Sequence, residues 1–162
     1  MRIRRNMLLM GACGLLLGLS ALAQARKPGL WQVTSTMTWQ QSPFPAGMGA
    51  LASGPHTVQV CVTQEQIDKY GSVPPQTQRD CQVTNIVKKA NGMSAEMVCT
   101  GALGGKGSIE STWTDDSHST TKVHFLGQME MGQSSKPVEW TVEATSVYKG
   151  PDCGSVKPLQ EK

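Results

Sequence analysis

Between Leu30 and Trp39 the chain reads LWQVTSTMTW, and the side chains change character at almost every step. Trp31, Val33, Met37 and Trp39 share one parity, while Gln32, Thr34, Thr36 and Thr38 take the other. Successive side chains of a strand point to opposite faces, so this spacing predicts a strand with one buried face and one wet, threonine-lined face. Val58, Val60 and Val62 repeat the pattern. CQVTNIVKKANGMSAEMVCT reads as two strands joined at Asn91-Gly92, a pair suited to a type I′ hairpin. GSIESTWTDDSHSTTKVHFL reads as a second hairpin turning at Asp115-Asp116-Ser117. In VEWTVEATSVY, Val138, Trp140, Val142 and Ala144 fall on one side of a last long strand.

Three stretches break the alternation. Ser42 to Pro55 is rich in Pro, Gly and Ala and reads as a mobile loop. Thr63 to Tyr70 predicts a short helix, with Thr63 and Gln66 at capping-box spacing, Glu65 in the first turn, and Gly71 and Pro74-Pro75 as stops. Gly101 to Gly107 reads as a flexible connection between strands. It resembles a phosphate-binding loop only superficially: Thr100 stands where the first P-loop glycine belongs, and Gly107 where the magnesium-binding Ser or Thr belongs. The expected fold is all-β and mainly antiparallel: a meander of about seven strands forming a curled sheet or open barrel, with one short helix.

The chain opens on MRIRRNMLLMGACGLLLGLSALAQA, a basic start, an apolar stretch and a small-residue site, the three parts of a secretory signal. We expect a signal peptide over 1–25, cleaved after Ala23 or Ala25, a single β domain over 26–154, and a C-terminal tail over 155–162. The leader holds three of the fifteen bases and no acid, so the remainder carries twelve charges of each sign. With the basic excess confined to the leader, nucleic acid has little electrostatic claim as a partner. No later segment is apolar enough to span a membrane. Only five leucines follow the leader, and so thin an interior gains from covalent staples.

Those staples are at hand. Cys61, Cys81, Cys99 and Cys153 follow the leader, none at C-x-x-C spacing, and an exported chain with an even count favours disulfides over metal or redox chemistry. Four cysteines allow three pairings. The expectation is Cys61–Cys81, across the helix, and Cys99–Cys153, pinning the C-terminal tail.

Other chemistry has little material. His118 and His124 share a strand but sit six residues apart, roughly 20 Å, too far for one ion to hold both. His56 lies elsewhere, beside the loop. Met129 and Met131, with Met48 in the loop, are candidate Cu(I) ligands through soft sulfur. Met93 and Met97 share parity with Ala95 and Cys99 and belong to the core. The acid pair Asp115-Asp116 falls in a turn, where solvation is its ordinary role. No residues assemble into a nucleophile, a base and an orienting group, so no catalytic residues and no cofactor are expected.

The order of features carries a resemblance. KPGLWQVTSTM, then VCVTQEQ, a DC before the next strand, MVCTG and a final GPDCG make the chain similar, from Lys27 to Gly154, to the bacterial exported family catalogued as domain-of-unknown-function family 3617. Its members commonly open on a KPGLWEV-like strand and follow CVT with a short helix. Gln32 departs from the acid common there, and the central loop is poorer in methionine. The resemblance implies a periplasmic location and a β-rich fold, and it brings no activity.

The functional expectation is a periplasmic, non-catalytic binding or envelope-associated module, with an apolar small molecule or an envelope protein as partner. Trp31, Trp39, Trp113 and Trp140 are its candidate ligand-lining or core residues. Cu(I) binding through methionine is the alternative, and an enzyme a distant third.

Overall fold

A computed structural model describes residues 26–45, 53–75 and 80–158. The leader, Met48 and the end of the tail lie outside them, as does half of the Ser42–Pro55 loop. Seven strands form one open sheet: β1 (Gly29–Gln41), β2 (His56–Val62), β3 (Cys81–Lys89), β4 (Gly92–Thr100), β5 (Leu103–Trp113), β6 (His118–Met131) and β7 (Ser134–Gly150). The spatial order is β2-β1-β7-β6-β5-β4-β3, and every neighbouring pair is antiparallel. β3 to β7 are the expected meander. The first strand then lies between the second and the last, with Leu30 opposite Gly150.

Register explains the alternation. On one face a row crosses six strands through Trp39, Trp140, Phe125, Gly107, Met97 and Val83. The row beside it runs Met37, Val142, Val123, Ile109 and Ala95. On the other face Thr57, Thr34, Thr145, Thr120 and Thr112 stand in one line across five strands. Thr34 and Thr57 share a hydrogen bond of 3.0 Å, and Thr112 and Thr120 one of 2.8 Å. Such cross-strand pairs let the wet face support the sheet as well as the apolar one.

The helix α1 (Gln64–Tyr70) forms where its signals lie. The Thr63 hydroxyl accepts from Gln66 N, and the Gln66 side chain accepts from Thr63 N, the reciprocal pair of a capping box. Gly71, left-handed at φ 70°, donates to Ile67 O and ends it. The helix ties two clusters together. Ile67 and Val73 pack with Trp31, Val33, Val60 and Val62, whereas Tyr70 packs with Met93, Met97, Ile109 and Phe125.

Three expectations are corrected. The disulfides join Cys81 to Cys99 and Cys61 to Cys153, not Cys61 to Cys81 and Cys99 to Cys153. Cys81 and Cys99 are direct partners in the β3–β4 ladder, 4.0 Å apart at Cα, so they meet without any loop to close. Cys61 lies beside the C-terminal tail, where Pro158 also bridges to it. The β3–β4 loop is Ala90-Asn91 instead of Asn91-Gly92, because Gly92 already pairs with Lys89. Neither loop residue has the positive φ of a type I′ turn.

The third correction is that Gly104 to Gly107 are strand, not connection. Phe125, fully buried on β6, leans over them. A Cβ on Gly105 or on Gly127 would stand 2.7 Å from its ring, and one on Gly107 3.3 Å. The glycines make a bed for an aromatic ring, which covers the backbone that they leave bare.

A candidate ligand cleft on the inner face

Trp140 stacks on Phe125 with centroids 5.1 Å apart and planes at 16°, and its exposed remainder turns toward the segment after α1. Between the inner face of the sheet and Val73-Pro74-Pro75 lies a cleft of about 350 Å³. Met97, Ile109, Val123 and Val142 make its apolar floor, and Val33 and Val58 continue it toward the β2 edge. Val58 is 44% exposed, as a residue at an opening would be. The polar groups are not scattered. His56, Ser35, Ala144 and Thr121 occupy one row across β2, β1, β7 and β6, and Ser146 stands in the next row. None of the described lining residues is Asp, Glu, Lys or Arg.

The four tryptophans do different things. Trp140 alone among them lines the cleft. Trp31 is fully buried, donates to Lys27 O at 3.1 Å and meets Tyr148 edge-on at 5.4 Å. Trp39 packs against the larger cluster and meets Phe44 edge-on at 5.9 Å. Trp113 donates to Ala90 O at 3.2 Å and carries the Arg26 guanidinium 4.1 Å from its ring centre.

Arg26 was not singled out from the sequence, yet it is 3% exposed. Its Nη2 donates to Asp115 O at 2.8 Å, while Nε and Nη1 have no hydrogen-bond partner among the described residues. Burial pulls the guanidinium down to about 10, against the pull of Asp115 and Asp116 in the other direction. Lys27 pairs with Asp116 at 2.6 Å, and the bond raises the ammonium's pKa. The Asp115-Asp116 turn is therefore a dock for the start of the domain and not merely a solvated loop. The only sequence signal was the nearness of two bases to the first strand.

In the same turn Asp115, Ser117 and His118 match a catalytic triad by residue type. Their geometry does not. The Ser117 hydroxyl lies 3.1 Å and the Asp115 carboxylate 3.0 Å from the same imidazole nitrogen, Nδ1, so no relay passes through the ring. The Ser117 hydroxyl and N–H, followed by His118, hold the Asp115 carboxyl well below the ordinary carboxylate range.

His124 pairs with Glu139 at 2.9 Å. Its register row, with Thr141 and Ser108, belongs to the threonine face, and His56 to the opposite one, so the histidines do not converge. Met129 packs against the core, Met131 is exposed at the strand end, and Met48 lies outside the described residues. Among the described residues no three His, Cys, Asp or Glu side chains are grouped to hold a metal. No described helix is long and apolar enough to cross a membrane.

The family described as "Protein of unknown function (DUF3617)" matches residues 26–153. The chain belongs to the DUF3617 family. Its match begins at Arg26, the residue locked under Trp113, and ends at Cys153, the partner of Cys61. The DUF3617 unit thus coincides with the part of the chain tied together at both ends. No curated protein and no solved structure matches the chain.

Proposed function

We propose that this DUF3617 protein is a non-catalytic binding module of the periplasm that holds an apolar small molecule between its sheet and the Val73–Pro75 segment. The cleft carries the reading: about 350 Å³, floored by Met97, Ile109, Val123, Trp140 and Val142. Ligand sites are concave, mostly apolar and fitted with a few convergent polar groups, and this volume sits near the low end of their range, roughly 300–1,000 Å³. Two disulfides and the leader-like start support an exported location.

The test is titration with a neutral apolar fluorophore such as N-phenylnaphthylamine. Saturable micromolar binding is expected in the native protein and not in Ala144→Phe, which adds a ring to the cleft wall. Melting curves check that the variant stays folded. Absence of saturable binding in the native protein defeats the proposal.

A further inference from the structure

Resting on that reading, we infer that the ligand is a single-chain amphiphile with an uncharged hydrogen-bonding head, its chain toward Trp140 and its head at the row of His56, Ser35 and Thr121. Two features give this shape. First, the cleft is small, and its lining changes from apolar to polar along the strands. Trp140 and Ala144 are four residues apart on β7, about 13 Å at strand rise; Met97 lies in the Trp140 row, and Val142, Val123 and Ile109 fill the row midway between. A volume of about 350 Å³ over such a length suits one hydrocarbon chain, not a two-chain lipid.

Second, the next row along carries the polar groups His56, Ser35 and Thr121, followed by Ser146 beside Val33 and Val58, and none of these is Asp, Glu, Lys or Arg. The Thr121 hydroxyl is shared with Ser111 at 2.8 Å, while His56, Ser35 and Ser146 find no side-chain partner among the described residues. This band has hydrogen-bonding capacity to spare. With no Lys or Arg in the lining a phosphate head would meet at most the single imidazole of His56, and with no Asp or Glu an ammonium head would lack a counter-charge. A hydroxyl, ester or amide head matches what is there.

Calorimetric titration of the full-length gene product with dodecanol, dodecanoate, dodecyltrimethylammonium and dodecyl phosphate, each below its aggregation threshold, tests the inference. Dodecanol is expected to bind at least about tenfold tighter than any charged analogue, the worth of one or two retained hydrogen bonds. His56→Ala and Ser35→Ala should shrink that preference to about threefold or less. His56 is exposed, so its variant is not expected to unfold. Equal binding of all four heads, or preference for a charged one, overturns the inference and leaves the cleft reading standing. Binding of none overturns both.

Discussion

At Asp115 a single carboxylate holds the β5–β6 turn through Ser117 and His118, and its lowered pKa makes that contribution depend on pH. The folded pKa lies below the unfolded one. Stability from this group is therefore fully present above the ordinary carboxylate range near 4 and is lost as the pH falls toward the folded value. Asp115→Asn should lower the melting temperature at neutral pH, and the gap from the native protein should narrow steadily on acidification below about pH 4. A gap that stays constant with pH would mean the carboxylate is not the holding group. A second single-residue effect belongs to the glycine bed: Gly105→Ala should destabilise the fold by about 1–3 kcal/mol in urea unfolding, because the added methyl meets the β6 backbone at Leu126 O and Gly127 Cα as well as the Phe125 ring, and the residue sits at φ 155°. Parity alone placed Met93 and Met97 with Ala95 and Cys99 in the core. It gave no hint that Gly105 and Gly127 exist to admit a ring, since a glycine has no side chain to alternate.

Each strand and the one helix can be read from local pattern, and the Cys81–Cys99 bond shows where such reading stops. A hairpin centred on Asn91-Gly92 would set Cys81 opposite Ala102 and Cys99 opposite Thr84, keeping the two cysteines apart. The actual turn at Ala90-Asn91 shifts the ladder, and the bulge between Thr84 and Val87, with Asn85 at φ 52°, shifts it again. Only after both shifts do Cys81 and Cys99 face each other. A one-residue slip in a ladder changes every partner, so the pairing depended on two irregularities that period-two alternation does not record. Non-reducing peptide mapping should recover Cys81–Cys99 and Cys61–Cys153 as the linked pairs, and any other linkage contradicts this register. The helix was easier because its signals are all local. Thr63→Ala removes a cap that accepts from Gln66 N at 3.2 Å and should cost about 1 kcal/mol in the same unfolding assay.

The whole molecule is one sheet gathered around α1, and its two disulfides sit in different parts of that plan. Placing β1 between β2 and β7 required partners over a hundred residues apart, such as Leu30 and Gly150, which no local pattern announces. This is why strand count and direction were legible, whereas the cleft, lined from β2 across β1, β7, β6 and β5 to β4 and covered by a segment beyond α1, was not. The Cys81–Cys99 bond lies within one hairpin at the edge away from His56. The Cys61–Cys153 bond spans 92 residues and ties β2, which supplies His56 and Val58 to the cleft, to the end of the domain. On the chain-entropy model the first contributes about 3 kcal/mol and the second about 4.5 kcal/mol. Stability and binding should therefore respond differently. Replacing Cys81 and Cys99 by serine should lower the melting temperature yet leave fluorophore affinity within about twofold wherever the protein remains folded. Replacing Cys61 and Cys153 frees an edge strand held otherwise by β1 and by the small cluster of Trp31, Val60, Val62 and Ile67. That variant should bind several-fold more weakly at temperatures below the onset of its global unfolding, and amides of β2 should exchange faster than those of β5 and β6. Equal binding losses in the two variants would place the cleft under the control of the whole sheet, with no special dependence on the β2 edge.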